Sequence, residues 1–449
     1  MFERLPGFRD FYPEDCARRN HLFRLWTLTA RRFGFVQYDI PTLEPLELFT
    51  EKSGPEIVSQ LFNFTDKGGR QVALRPELTP SLARMVGSKA NSLKRPVKWF
   101  NIAENFRYEK QQKGRLRSHY QYNCDIYGEP GVGADIELIA VCLESLRALG
   151  LTENDLILRL SDRDLWMAYL AGLGHEGEAA LGILGIIDKL ERNPDEESLK
   201  LLEPYFGDAR EDFLAQVKTL ISLRDFAEVE TFLLAQATNP ASRDRMASRL
   251  AELKALVDGL VAFGLKNFFR LDLGIVRGLA YYTGFVFEIF ELEDGALTGR
   301  ALAGGGRYDH LVEKLGYSAL PAVGFGMGDV TMTDLLEKKG LFPTLLAGPD
   351  VYVVIGGDSE RPAALEDIGR LRQAGVSVEY PLKGVGFGKQ FKTAGQSGAR
   401  FALVYGGDEV ARGVVKAKDL GAGTEIELPR EQLTRVMPDL LAEGIPPLD

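Results

Sequence analysis

The sequence predicts an α+β protein: an antiparallel sheet with flanking helices, interrupted by a helical insertion and followed by a separate α/β unit. Three observations carry this expectation. Strand-like runs in the first third are spaced by loops of unequal length, which suits an antiparallel sheet better than a doubly wound one. Residues from about 165 to 262 are almost wholly helical in pattern. Beyond Pro343 and Gly348-Pro349 the rhythm changes to βαβαβ.

Taken in order, residues 14–34 have the apolar spacing of an amphipathic helix, with Leu22, Phe23, Leu25, Trp26, Leu28 and Ala30 set among arginines. Strands are expected at 36–40, 61–64 and 72–74, the last two joined by the turn Asp66-Lys67-Gly68-Gly69. Residues 77–90 read as a helix. The runs 97–103 and 120–126 read as an antiparallel pair around a long polar loop. Asp135 to Leu149 is a helix with Ile136, Ile139, Ala140, Leu143 and Leu146 on one face. Strands at 275–290 and 298–303 follow the helical block. In the last unit, strands at 351–355, 376–380 and 401–405 alternate with helices at about 360–374 and 386–397, implying a small parallel or mixed sheet. The expected division is 1–345, insertion included, and 350–449.

The chain has 449 residues, 45% of them apolar, so sizeable cores can form. With 54 Lys and Arg against 64 Asp and Glu, the net charge is −10. That balance weakens nonspecific nucleic-acid binding without excluding a local basic surface. Cations do crowd from Arg84 to Arg117, where only Glu104 and Glu109 oppose them. Cys16, Cys124 and Cys142 show no paired spacing, which argues against a disulfide framework or a cysteine-built zinc site and fits a reducing cytoplasm. No stretch has bilayer-spanning length, so no membrane association is expected, and no secretory signal is expected at the N-terminus.

The segment Ile275 to Gly284 carries the most chemistry. Arg277-Gly278 precedes Tyr281-Tyr282, and the alternating run Phe285 to Phe290 then reads as a strand. A fixed cation beside two phenols suits a grip on an anionic group and a polar ring together. Three segments keep it company. Arg75-Pro76-Glu77-Leu78-Thr79 sets a carboxylate and a hydroxyl where a strand turns into a helix. Phe106-Arg107-Tyr108-Glu109, Lys113 to Arg117, Gln121 and Asp125 surround a cation-rich loop. Gly304-Gly305-Gly306-Arg307-Tyr308-Asp309 is a glycine-rich strand end. Each alone reads blandly as a helix start, a solvated loop or a flexible turn; together, in this order, they point to one site.

On these segments, and on Pro6-Gly7-Phe8-Arg9-Asp10 and Gly398-Ala399-Arg400-Phe401, the sequence resembles the histidyl-tRNA synthetases, a class II aminoacyl-tRNA synthetase family, along essentially its whole length. The resemblance implies a class II catalytic domain, a helical insertion and a C-terminal anticodon-binding domain. It implies a homodimer with the stretch around Pro41 at its interface. The reaction implied joins histidine and ATP into histidyl-adenylate, then passes the histidyl group to tRNA(His), with Mg²⁺ bridging the outer phosphates. Arg107 and Arg277 would be the catalytic cations at the α-phosphate, and Arg107, Glu109 and Arg277 would bind ATP. Glu77, Thr79 and Gln121 would meet the histidine ammonium; Asp125, Tyr282 and Tyr308 the imidazole; Lys110, Gln112 and Arg117 the tRNA. No side chains are expected to form a resident metal site.

Arginine suits the phosphate task because its planar fork stays charged. A pocket that pairs both ring nitrogens rejects apolar analogues, which would strand its polar groups. Four positions depart from the commoner family pattern. Asp125 stands where glutamate is frequent, Ala280 where aspartate is often seen, Lys110 where arginine is common, and Thr331 where the third class II motif ends in arginine. Lys383, Lys389, Lys392, Arg400, Lys416 and Lys418 are candidates for the anticodon stem, whereas His119 and His310 are expected to be structural or peripheral. Two other readings stay open: a noncatalytic histidine sensor like the regulatory subunit of ATP phosphoribosyltransferase, and a module binding uncharged tRNA.

Overall fold

The computed structural model describes residues 2–53, 55–108, 116–237, 239–276, 281–345 and 348–443. The chain divides into two units, Met1–Phe342 and Pro343–Asp449.

Pro13 opens α1 (Pro13–Arg32), where its missing N–H costs nothing; Glu14 and Asp15 at the start and Arg31 and Arg32 at the end complement the helix dipole. Trp26 of this helix stacks on Tyr122 with ring centroids 5.2 Å apart. β1 (Val36–Gln37) is a short edge strand. β2 (Leu43–Pro45), α2 (Glu47–Ser53), β3 (Asn63–Thr65) and β4 (Gln71–Leu74) come next, the three strands forming a small sheet of their own. Asp66 closes the β3–β4 hairpin by accepting the N–H groups of Gly68 and Arg70, each at 2.9 Å.

α3 (Thr79–Gly87), β5 (Val97–Phe106), β6 (Ser118–Tyr127), α4 (Val132–Arg147) and β7 (Leu156–Asp162) complete the first half of the unit. The insertion is α5 (Arg163–Gly172), α6 (Gly177–Ile187), α7 (Asp195–Phe206), α8 (Arg210–Ser222), α9 (Phe226–Ala235) and α10 (Pro240–Ala262). Asp162, Asp225 and Asn239 cap α5, α9 and α10 by accepting orphan N–H groups of the first turn. β8 (Phe269–Leu271), β9 (Thr283–Glu293), β10 (Ala296–Arg307), α11 (Leu311–Lys314), β11 (Ala322–Gly328) and α12 (Asp329–Lys339) follow.

The main sheet runs β1-β5-β6-β11-β10-β9-β7-β8. Its central pairings are antiparallel, but β1 joins β5 and β8 joins β7 in parallel. The expected antiparallel sheet is therefore mixed at both edges, because long crossovers bring the chain back in the same direction there.

Side-chain alternation gives the sheet two unlike faces. Phe100, Tyr122, Cys124, Phe285, Phe287, Phe325 and Met327 pack on one face with Trp26, Leu138 and Leu256 of the covering helices. The intervening positions on β6, Gln121, Asn123 and Asp125, point to the other face. There Leu78, Leu82, Leu311 and Tyr308 build a smaller core that leaves room for a cavity.

The second unit has β12 (Val351–Ile355), α13 (Arg361–Gln373), β13 (Val378–Glu379), α14 (Phe387–Gln396), β14 (Phe401–Tyr405), α15 (Gly407–Ala411), β15 (Val414–Asp419), β16 (Glu425–Pro429) and α16 (Leu433–Glu443). Its sheet runs β13-β12-β14-β15-β16, with the first three strands parallel and the last two antiparallel. Val353, Leu371 and Leu403 lie in a core of its own. Arg400 donates to the carbonyl of Leu441, and Lys416 lies 3.8 Å from Glu409 and Glu425.

Arg75 belongs to the scaffold of the first unit. It is 6% exposed and donates to the carbonyls of Ile40 at 2.7 Å and Glu104 at 3.0 Å, bracing the entry to α3 against β5. Arg75→Met should lower the stability of this unit by about 2–4 kcal/mol, the range for breaking buried charge-assisted bonds. Calorimetry would read this as a lower first unfolding transition; an unchanged transition would contradict the bracing role.

Candidate active site

Two connected cavities open on the polar face of the main sheet. The inner pocket, about 380 Å³, is lined by Glu77, Thr79, Gln121, Asn123, Tyr282 and Tyr308, among others. The outer cleft, about 890 Å³, is lined by Arg159, Arg192, Glu288, Arg300 and Thr331, among others. Arg107, Gln121, Gly304 and Gly326 belong to both walls.

The pocket ends at a buried pair. The Tyr308 hydroxyl donates to Asp125 Oδ1 and lies 3.5 Å from the Tyr127 hydroxyl. Burial, then the neighbouring Asp125 carboxylate, raises the Tyr308 phenol well above its ordinary pKa, so it remains a donor. Glycine makes this pair possible. Gly324 on β11 faces Asp125 on β6, and a Cβ at Gly324 would overlap Asp125 Oδ1 and the Tyr308 hydroxyl. A Cβ at Gly326 would likewise overlap Gln121 Nε2. Gly305 and Gly306 permit a similar approach of backbones, since side chains there would meet the carbonyls of Gly324 and Phe285.

At the pocket mouth, Gln121 Oε1 accepts from Asn105 Nδ2 at 3.0 Å, which fixes the amide. Thr79 is the first residue of α3, and Glu77 lies just before it. Tyr281 packs on Tyr282 at 4.8 Å and edge-on to Tyr308 at 6.1 Å, forming an aromatic wall. Arg107 Nε donates to the Pro76 carbonyl at 3.1 Å, so its guanidinium is held where pocket and cleft meet.

In the cleft, Arg159 is buried and committed to Asp272 at 2.7 Å and Glu191 at 2.5 Å. Arg300 sits within a strong bulge of β10, where the register with β9 shifts between Thr298 and Ala303. Bulges re-aim side chains beside functional sites. The third-motif region takes a structural part: Asp329 accepts from Arg9 at 2.7 Å and from the Tyr120 N–H at 2.8 Å, tying the N-terminal segment to β6. His119 lines the cleft, whereas His310 is exposed.

The structure thus brings Glu77, Thr79, Arg107, Gln121, Tyr282 and Tyr308 around one pocket, with Asp125 at its inner end. Arg277, Glu109, Lys110 and Gln112 lie outside the described residues. Of the described residues on either side of Arg277, Gly274 and Ile275 line the cleft and Tyr281 and Tyr282 line the pocket. Arg117 is near the same region, with its guanidinium 4.4 Å from the Tyr108 ring. Sequence reading missed Asn123 and Arg300, and it singled out the Tyr281-Tyr282 pair but assigned only Tyr282 to the imidazole ring. For Asn123 the signal was present, since it alternates with Gln121 and Asp125 on β6.

Comparison with known proteins places this geometry. Residues 7–329 match the family model described as histidyl-tRNA synthetase, and residues 350–440 match an anticodon binding domain. A histidine–tRNA ligase of Opitutus terrae is 53% identical over 98% of this chain and 99% of its own length. One from Natronomonas pharaonis is 38% identical over 96% of each. The crystal structure of histidyl-tRNA synthetase from Nostoc sp. PCC 7120 superposes with a TM-score of 0.77 at 24% identity, covering 98% of this chain and 99% of the other, a likeness of fold. With full-length relatives and a family model spanning most of the sequence, the chain belongs to the histidyl-tRNA synthetase family.

Proposed function

We propose that this chain ligates histidine to tRNA(His) at the expense of ATP, through a histidyl-adenylate. The observation that carries the reading is the junction at Arg107: a small polar pocket closed by the Tyr308–Asp125 pair opens past one held guanidinium into a larger cation-lined cleft. A pocket of that size suits an amino acid, and the cleft suits a nucleotide.

In this reading the histidine ammonium meets Glu77, Thr79 and Gln121. The imidazole lies against Tyr282, Tyr308 and Asp125. A carboxylate oxygen of histidine attacks the α-phosphorus, the bond to the bridging oxygen breaks, and pyrophosphate leaves. Arg107 and Arg277 hold the two anions together and stabilise the charge that develops. Glu109 serves the nucleotide end. A hydroxyl of the terminal adenosine of the tRNA then takes the histidyl group, releasing AMP, while Lys110, Gln112 and Arg117 contact the tRNA.

Thr331 carries no charge, so the outer phosphates meet Arg192 and Arg300 across the cleft. Among the described residues no cluster of three or more His, Cys, Asp or Glu forms a metal site. Mg²⁺ would arrive on the phosphates, and Glu288 in the cleft wall is the carboxylate that would help hold it. When bound, it would supply the charge that neutralises the outer phosphates. The retained cation at 107 and the C-terminal unit favour a ligase over a histidine sensor.

A homodimer is supported by the apolar side chains of Val36 and Leu43, left exposed on either side of Pro41 in the sequence. Cysteines 16, 124 and 142 are free, and no single described helix is long and apolar enough to cross a membrane. Free thiols suit work in a reducing cytoplasm.

Histidine-dependent exchange of labelled pyrophosphate into ATP should be measurable, and its absence would overturn the reading. Gly324→Ala, which crowds Asp125 and Tyr308, should raise the KM for histidine at least tenfold while moving the KM for ATP less than threefold, on the scale of one lost buried hydrogen bond. Equal effects on both substrates would refute the assignment of the inner pocket to histidine. Removing Pro343–Asp449 should cut tRNA charging by roughly a hundredfold or more yet leave most of the exchange activity, as for lost macromolecular contacts. Parallel loss of both would count against separate roles for the two units.

A further inference from the structure

Gln121, Asn123 and Asp125 occupy alternate positions of β6 and therefore share the face that looks onto the inner pocket. The outer two are anchored by the protein: Gln121 by Asn105, and Asp125 by Tyr308. Asn123 differs. It lines the pocket and is 4% exposed, yet its buried Oδ1 finds no hydrogen-bond partner among the described residues. Its register neighbours do not supply one. Asn101 on β5 commits its amide nitrogen to the Tyr38 carbonyl, and Gly326 on β11 has no side chain. Buried amide oxygens are almost always paired, because leaving one unpaired costs about 1–3 kcal/mol. An unpaired acceptor in the wall of a ligand pocket is accounted for if the ligand completes it.

We propose that Asn123 is a specificity-determining contact for the amino-acid substrate, its amide oxygen accepting an N–H of the bound ligand. The position lies between Gln121, on the ammonium side, and Asp125, on the ring side. This rests on the reading of the inner pocket as the histidine site. It also addresses the short reach of Asp125, because a second polar group on the same strand helps hold a ligand that a one-methylene-shorter acid contacts less deeply. A neutral amide adds an acceptor without placing a second negative charge beside Asp125, where like charges would repel.

The test uses the full-length protein and two variants, Asn123→Ala and the near-isosteric Asn123→Leu. Each should raise the KM for histidine roughly tenfold, the scale of one hydrogen bond, and leave the KM for ATP within twofold in pyrophosphate exchange. The thermal midpoint of the ligand-free protein should stay level or rise, because no protein group loses a partner. Histidine KM values within twofold of wild type for both variants would overturn the proposal. So would a lowered midpoint accompanied by equal rises in both KM values, the signature of a purely structural role. If wild type shows no exchange, the ligase reading fails separately, and the thermal shift produced by histidine alone decides the matter. A shift in wild type that is reduced in both variants supports the contact, and no shift in wild type overturns it.

Discussion

The polar end of the inner pocket depends on a side chain that is missing. Because Gly324 presents only hydrogen toward β6, the Asp125 carboxylate can lie against β11 and accept from Tyr308 without leaving the sheet. An acid so deep in a protein is costly unless hydrogen-bonded. Here Tyr308 supplies a bond, and Tyr127 and the edge-on ring of Tyr281 support the phenol in turn. Strand pairing brings the backbones together, and the glycines of β10 and β11 convert that closeness into space for polar groups.

The same sheet does two incompatible jobs by assigning them to opposite faces. Tyr122, Cys124 and Phe325 anchor a dry core under the covering helices, while Gln121, Asn123 and Asp125, one residue out of phase, furnish the pocket. A one-residue slip of β6 would exchange these sets, burying the amide and acid in the core. The long β5–β6 ladder and the stacking of Trp26 on Tyr122 both oppose such a slip. Site geometry and fold stability are in this sense fixed by the same contacts.

Much of the architecture was legible because burial leaves a periodic trace. The helix at 14–34, the β3–β4 hairpin with its Asp66 turn and the helical block were read from spacing and turn chemistry alone. Strands β7 and β11 escaped for opposite reasons. In β7, Arg159 interrupts an apolar run, and only its buried ion pair with Asp272 explains why it is tolerated. In β11, Ala322 to Gly328 is too rich in glycine to look like a strand, since glycine weakens a strand that lacks tertiary support. The β15–β16 hairpin was missed as well, because its charged alternation resembles surface. Individual motifs located most of the pocket, but spacing cannot reveal which polar atom lacks a partner; Asn123 emerged only once the neighbouring strands were in place. Arg75 shows the converse, a residue within a diagnostic motif that serves the scaffold.

The helical insertion leaves and re-enters the sheet at neighbouring strands. The Asp272 N–H donates to the Leu160 carbonyl at 2.8 Å, and Arg249 grips Asp162 where the first inserted helix begins. Both ends of some hundred residues are thereby fastened at one place, β7 beside β8. Between those fastenings, the outer turns that touch neither the core held by Leu256 nor the cleft lined by Arg192 can lengthen, shorten or be exchanged over the generations without disturbing the strands that carry the pocket. The outer turns of the insertion are thus where descendants of this fold are free to diverge, while its inner helices stay committed to the sheet and the cleft.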